Sequence, residues 1–195
     1  MPDSRVKVLL CVEGPTDVAA FKYLSRALHA ADNTIPDLTS DERVAFVLLG
    51  GSTLKHWVTQ HYLRSLNRPE VHIYDNDVPV YAASVAEVNQ RTDGSWAVVT
   101  NKYEIECYLH ADAIGDAFGV EVVVLDQPGP DEKAVPRLFD EAYFAKQKTD
   151  AVMKDGAAKL RLANKAFPLM TAERLAARDP RGEVEGWFRR IGGML

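Results

Sequence analysis

Short apolar runs alternate with segments of helical periodicity through the first half of the chain, and this alternation restricts the fold more than any other feature. The runs are rich in β-branched residues and leucine and cover residues 6–12, 44–49, 71–74 and 96–100. Such continuous runs are typical of strands covered on both faces. Strands that alternate with helices form a parallel sheet. We therefore predict an α/β fold in which a parallel sheet of about four strands is flanked by helices.

Two turns predict where the first helices begin. Gly14-Pro15 ends the first run, and proline suits the first turn of a helix because its missing N–H would lack a partner there. Gly50-Gly51-Ser52 ends the second run, and the serine or the following threonine can cap a helix. Because parallel strands end at the same edge of a sheet, both turns border that edge.

Residues 103–109, after the fourth run, are the predicted start of another helix, and beyond Gly119 the alternation is weaker. Residues 122–125 can form a short strand, and residues 131–190 show the pattern of three or four helices. We predict an α/β core over residues 1–125 and a helical C-terminal extension over residues 126–195 that packs on the core.

The composition excludes a membrane-spanning chain and indicates a globular protein. The sequence has 195 residues, of which 47% are hydrophobic, and this is enough for one domain with a core. It contains no apolar run of about 18 residues. The N-terminal run leads into Glu13 without a cleavage site, which favours a strand over a signal peptide. Cys11 and Cys107 belong to no CxxC motif, which predicts a reduced, cytoplasmic protein.

Charge is distributed unevenly along the chain. The formal net charge is −5, yet residues 146–195 carry 11 basic and 6 acidic residues. A basic C-terminal part could face phosphate groups. Solvated basic helices explain the same count, so this feature leaves both interpretations open.

Acidic residues follow three of the four predicted strands. They are Glu13 and Asp17, then Asp75 and Asp77, then Glu104 and Glu106. Each has a structural explanation alone, because an acid near a helix start complements the dipole and Asp-Asn-Asp favours a turn. Together they converge at one edge of the sheet, where they repel each other unless a cation lies between them. Oxygen ligands without histidine or cysteine suit Mg²⁺ or Mn²⁺.

The order of these motifs resembles a known family. A strand followed by Glu13-Gly-x-x-Asp17, a helix, and a later strand followed by Asp75-x-Asp77 resembles the Toprim domain of topoisomerases, primases and OLD-type nucleases. The segment Lys102-Tyr-Glu-Ile-Glu106-Cys-Tyr-Leu109 is similar to the OLD-type element in which a basic residue precedes I-E-x-Y-L. Residues 151–166 look like the late helix of that type, which carries a lysine near the active site. The resemblance covers about residues 5–166.

The resemblance implies a nuclease that uses Mg²⁺ or Mn²⁺, with two ions, to cut nucleic acid, and DNA is the expected substrate. Glu13 would be the metal ligand closest to the chemistry and would assist proton transfer. The other implied ligands are Asp17, Asp75, Asp77, Glu104 and Glu106. Lys102, and one of Lys154 and Lys159, would stabilise negative charge on the phosphate.

The resemblance also implies a partner. OLD-type nucleases usually carry an ABC-type ATPase domain, whereas this sequence contains no GxxxxGK[ST] motif. We therefore expect a separate ATPase subunit, as in two-component antiphage systems, and a homodimer is compatible with the same resemblance. The basic C-terminal part, or exposed apolar positions in its helices, would be the docking surface.

Other functions fit the sequence less well or remain open. Residues 74–78 resemble the haloacid-dehalogenase phosphatase motif, but Pro79 stands where that motif needs threonine or valine. A response-regulator receiver needs an acidic doublet after its first strand, and Glu13 and Asp17 do not form one. A non-catalytic Toprim module that docks on an ATPase and an RNA-processing Toprim enzyme both remain open.

Overall fold

The computed structural model describes residues 5–149, 151–154 and 156–195. Within them, four parallel strands form one sheet in the order β2-β1-β3-β4. The strands are β1 (Val8–Val12), β2 (Val44–Leu48), β3 (Glu70–Tyr74) and β4 (Trp96–Val99). The predicted α/β fold, with a parallel sheet flanked by helices and a helical C-terminal part, is confirmed.

Helices connect the strands and make up the C-terminal part. They are α1 (Pro15–Ala31), α2 (Leu54–Thr59), α3 (Tyr81–Asn89), α4 (Ala111–Phe118), α5 (Val135–Lys146), α6 (Ala157–Arg161), α7 (Ala172–Arg178) and α8 (Glu183–Gly192). Three single turns of 3-10 helix occur at Arg64–Leu66, Ile105–Tyr108 and Phe167–Leu169, and a π-helical turn occurs at Leu162–Ala166. None of the described helices is long and apolar enough to cross a membrane.

The strand order defines where a ligand site is expected. Within the sheet, β2 lies next to β1 on one side, and β3, which follows later in the chain, lies next to β1 on the other side. In open parallel sheets, ligands bind outside the carboxyl ends of the strands at such a reversal. Cys11 lies opposite His72 in the register of β1 and β3, so the ends of these two strands are side by side. The reversal therefore brings the residues after β1 next to those after β3.

The two faces of the sheet are covered by different helices. On one face, β1 residues such as Leu10 pack with α1 and with the C-terminal helices, and Phe21 of α1 contacts Trp187 and Phe188 of α8 edge-on at ring distances of 6.0 and 6.3 Å. On the other face, residues such as Leu9 pack with α2 and α3. Because both faces are buried, all five residues of β1 are buried, which explains its continuous apolar run. The boundary between residues 125 and 126 stays a prediction.

Two local predictions differ from the structure. Residues 122–125 form no strand; Val122 is buried, but Val123 is 71% exposed, and no described strand pairs with this segment. The helix predicted to begin after β4 is a 3-10 turn at Ile105–Tyr108, followed by the separate helix α4. This 3-10 turn carries Glu106, one of the predicted metal ligands.

Candidate metal centre

Among the residues that the structure describes, carboxylates form two groups of three at the carboxyl edge of the sheet. Glu13, Asp75 and Asp77 make up one group, and Asp75, Glu104 and Glu106 make up the other. Within each group, oxygen atoms of the three side chains lie within 4.8 Å of one another. Asp75 belongs to both groups, so the two sites share one ligand. The acids predicted from three separate strand ends are therefore together in the folded chain.

Glu13 follows β1 directly and is held at both carboxylate oxygens. Its Oε1 accepts a hydrogen bond from the backbone N–H of Asp75 at 3.2 Å, and its Oε2 accepts one from the Tyr81 hydroxyl at 2.7 Å. Burial raises the pKa of Glu13, and the two hydrogen bonds oppose that rise. The carboxylate is thus restrained by β3 and α3 while it remains partly accessible.

Asp17 lies in the first turn of α1 and caps that turn. Its Oδ2 accepts a hydrogen bond from the backbone N–H of Gly14 at 2.8 Å. Burial raises the pKa of Asp17, and its negative charge contributes to the raised pKa values of Asp75 and Glu106. Asp17 therefore adds negative potential to the site without belonging to either group of three.

Asp75 connects β3 with the turn after β4. Its Oδ1 accepts a hydrogen bond from the backbone N–H of Ile105 at 2.8 Å. Burial, and then the negative charge of Glu106, raise the pKa of Asp75 well above its usual value. Asp77 is half-buried, and its Oδ1 is buried without a hydrogen-bond partner.

Glu104 and Glu106 are almost completely buried, at 3% and 1% exposure. Burial raises the pKa of Glu104, and it raises that of Glu106 to about 7. Glu104 Oε1 and Glu106 Oε2 have no hydrogen-bond partner. Unpartnered buried carboxylate oxygens are rare because burial without compensation is costly. These oxygens are available as ligands.

Lys159 of α6 supplies positive charge to this pocket. Its ammonium lies 3.0 Å from Glu104 Oε2, 3.4 Å from Glu106 Oε2 and 3.7 Å from Asp75 Oδ2. Burial lowers the pKa of Lys159, but the carboxylates outweigh burial and raise it above the usual value. Lys159 is therefore charged, and its side chain is 30% exposed.

The other two predicted lysines lie elsewhere. The Lys102 ammonium is 2.5 Å from Asp126 and 5.4 Å from the centre of the Tyr108 ring, and its backbone carbonyl accepts a hydrogen bond from Thr100. Lys102 thus holds the turn that presents Glu104 and Glu106. Lys154 is exposed and lines, with Lys159, a cavity of about 220 Å³ beside Glu104.

The donor set fits divalent metal ions. All candidate ligands are carboxylate oxygens, three of which are buried without a hydrogen-bond partner. Lys159 pairs with Asp75, Glu104 and Glu106, so one ammonium faces three carboxyl groups. Oxygen ligands of this kind are those that Mg²⁺ and Mn²⁺ prefer. The buried acidic groups could therefore hold metal ions.

A second polar cluster, which we did not predict, lies among apolar residues on the α2 and α3 face of the sheet. His72 forms hydrogen bonds through Nε2 to Glu70 at 2.8 Å and through Nδ1 to the Tyr74 hydroxyl at 2.5 Å. Arg91 donates to Glu70 at 2.9 Å. Cys11 is close enough to complete a ligand set with Glu70 and His72. Because both histidine nitrogens are occupied and Arg91 already balances the carboxylate, this cluster fits a structural network better than a metal site.

Tyr81 is the residue at the candidate site that sequence reasoning missed. It begins α3 and is buried, and a buried tyrosine at a helix start is ordinarily a core residue. Its hydroxyl contact with Glu13 joins positions 68 residues apart, so no local pattern indicates it.

Comparison with known proteins adds one weak similarity. No protein-family model matches the chain, and no curated protein matches it. Among solved structures, the chain is similar to the C-terminal region of the OLD protein of Xanthomonas campestris pv. campestris, with 14% sequence identity and a TM-score of 0.38. The alignment covers 100% of this chain and 87% of that one. A similarity of this degree carries no argument about activity, which has to come from the site.

Proposed function

We propose that this protein is a metal-dependent nuclease that hydrolyses phosphodiester bonds in nucleic acid, with DNA as the expected substrate. The observation that carries the proposal is the pair of three-carboxylate groups that share Asp75. They lie at the edge of the sheet where the strand order reverses, which is the expected ligand site of such folds.

The residues of the two groups would divide the work of holding metal. Glu13, Asp75 and Asp77 would bind one ion, and Asp75, Glu104 and Glu106 a second. Asp17 would add negative potential from the start of α1. Bound ions of this type polarise a phosphodiester and increase the acidity of a bound water molecule.

Glu13 and Lys159 would act on the reacting groups. Because burial raises the pKa of Glu13, this carboxylate is better able than an exposed one to accept a proton from the attacking water. The Lys159 ammonium would stabilise the negative charge that develops on the phosphate. Lys154, on the cavity next to Lys159, would contact a neighbouring backbone phosphate.

Cleavage assays test this function. Purified protein is incubated with plasmid DNA, single-stranded DNA or structured RNA in Mg²⁺, Mn²⁺ or EDTA. We expect cleavage that requires metal and that falls at least about 100-fold in Glu13→Gln, which keeps the shape and removes the charge. Glu121→Gln is the matched control, because Glu121 is exposed and is absent from both carboxylate groups.

The same assay separates the alternatives. Equal cleavage in EDTA or in Glu13→Gln would refute the mechanism. Metal and nucleic-acid binding without cleavage would favour the non-catalytic Toprim module. Cleavage restricted to structured RNA would favour the RNA-processing enzyme. A role in antiphage defence with a separate ATPase subunit is part of the same proposal and needs the separate test given in the Discussion.

A further inference from the structure

Tyr81 contacts the carboxylate that the proposed function places closest to the chemistry. Its hydroxyl donates to Glu13 Oε2 at 2.7 Å, while the backbone N–H of Asp75 donates to Oε1 at 3.2 Å. One donor belongs to α3 and the other follows β3, so the two oxygens are held by different elements. A carboxylate held at both oxygens cannot rotate without breaking a hydrogen bond. Each oxygen still has a second acceptor site, which is free for a metal ion or water.

The position of Tyr81 is itself fixed by packing. The side chain is 4% exposed, and its ring lies 5.3 Å from the ring of Tyr74 at an angle of 49°. Its backbone N–H donates to the carbonyl of Val78 at 3.1 Å. A buried ring held in this way directs its hydroxyl to one place. Tyr81 is therefore a rigid donor, unlike an exposed side chain that happens to lie near a carboxylate.

Gly51, in the turn after β2, lies next to the hydrogen bond between Tyr81 and Glu13 and leaves space for it. A Cβ atom at position 51 would lie 3.1 Å from the Tyr81 hydroxyl and 3.3 Å from Glu13 Oε2. Both distances are shorter than ordinary van der Waals contact, so a side chain there would press on both partners of the hydrogen bond. The glycine at position 51 thus leaves space for the hydrogen bond between Tyr81 and Glu13.

We infer that Tyr81 is a positioning residue for Glu13, and that Gly51 gives it the space to act. The catalytic consequence of this inference rests on the proposed nuclease function, whereas the contact itself does not. Tyr81 fixes the direction of the Glu13 carboxylate and stabilises its charged form. Outer partners of metal ligands typically contribute about 10- to 100-fold to metal affinity or activity.

The test begins without metal. Tyr81→Phe removes the hydroxyl and keeps the ring. Tyr74→Phe is the matched control, since it removes a hydroxyl bonded to His72 from the same pair of rings. In metal-free protein labelled with ¹³C-glutamate, the Glu13 carboxyl resonance, identified by its loss in Glu13→Gln, should shift in Tyr81→Phe and remain in place in Tyr74→Phe.

Metal binding and cleavage form the second part of the test. We expect Tyr81→Phe to lower Mn²⁺ affinity or kcat by about 10- to 100-fold with KM unchanged. Gly51→Ala should act in the same direction, and Gly186→Ala is its control, because a Cβ atom at position 186 meets nothing within 4 Å. Circular dichroism verifies that each variant is folded, and Gly51→Ala decides if Tyr81→Phe fails to fold.

The outcomes separate this inference from the proposed function. An unchanged Glu13 resonance in Tyr81→Phe, or an equal loss of metal affinity in Tyr74→Phe, would overturn the positioning role. A shifted resonance in a protein that neither binds metal nor cleaves nucleic acid would support the contact and refute the nuclease. A drop in kcat together with a shifted resonance supports both.

Discussion

Lys159 and a metal ion would compete for the same carboxylates, and this leads to an unusual expectation for Lys159→Met. The ammonium contacts Glu104, Glu106 and Asp75 at 3.0, 3.4 and 3.7 Å. Glu104 has a further oxygen, Oε1, without a hydrogen-bond partner, and Glu106 Oε2 has only its ion pair with Lys159. A cation bound among these residues would be repelled by the lysine and would share its ligands. Removing the lysine should therefore strengthen metal binding even though it weakens cleavage.

The size of the effect follows from the distances. Two unit charges about 4 Å apart interact by about 4 kcal/mol at the effective dielectric of a partly exposed site. The Lys159 side chain is 30% exposed and can turn toward solvent, so part of this repulsion is relieved in the wild type. A remaining gain of about 1.4 to 2.8 kcal/mol corresponds to about 10- to 100-fold tighter binding. The metal-free variant should also unfold at a lower temperature, because three buried carboxylates lose their counter-charge.

Titration calorimetry with Mn²⁺ measures the affinity. A buffer at about pH 8.5 limits competition from protons, since metal ligands must be deprotonated and the pKa of Glu106 is raised to about 7. Lys154→Met is the matched control, because Lys154 lines the same cavity but is exposed. Unchanged or weaker binding in Lys159→Met, or an equal gain in Lys154→Met, would refute the competition.

Three further predictions concern the carboxylates, Lys102 and the partner. Asp75→Asn and Asp77→Asn should each weaken metal binding at least about tenfold. Neither should lower the melting temperature of the metal-free protein, since loss of a negative charge relieves repulsion among the carboxylates. Unfolding with intact metal affinity would show that residues 75–77 are only a turn. Lys102→Met should lower the unfolding free energy by about 1 kcal/mol, because it removes the ion pair between Lys102 and Asp126 while Arg178 still pairs with Asp126. Calorimetric metal affinity should stay near wild type, and strong loss of affinity in a folded variant would contradict the structural role. We expect an ABC-type ATPase that controls cleavage to be recovered by affinity purification from the native host or by co-expression with a neighbouring ATPase gene. Unregulated cleavage with no ATPase recovered would contradict the prediction of an ATPase partner.

The acids could be predicted from the sequence because the physical rule behind them is simple. Parallel strands end at one edge, so Glu13 after β1 and Asp75 after β3 had to be near each other once the strands were identified. The order β2-β1-β3-β4 then makes them direct neighbours. The sequence pattern therefore places both acids at one edge of the sheet, and the strand order seen in the structure makes them neighbours.

The positions of the lysine side chains could not be predicted in the same way. Lys102 precedes Glu104 and Glu106 closely in sequence, yet the turn after β4 directs its ammonium to Asp126. The choice between Lys154 and Lys159 depends on where a helix begins, and α6 starts at Ala157. Side-chain direction in a turn, and the first residue of a short helix, are set by tertiary packing rather than by residue type. Residues 122–125 failed as a strand for a related reason, since an apolar segment becomes a strand only when a neighbour pairs with it.

The buried acids at the carboxyl edge of the sheet cost stability, and the proposed metal site accounts for that cost. A pocket selected for stability alone would pair or neutralise its buried acids, as the Glu70, His72 and Arg91 cluster does on the other face of the sheet. The edge of the sheet instead leaves buried oxygens of Asp77, Glu104 and Glu106 without hydrogen bonds. Local rules of folding are broken mainly where function requires it. The Glu70, His72 and Arg91 cluster pairs its buried carboxylate with two side chains, whereas several carboxylate oxygens at the sheet edge have no hydrogen bond, so the sheet edge is where a cation could bind.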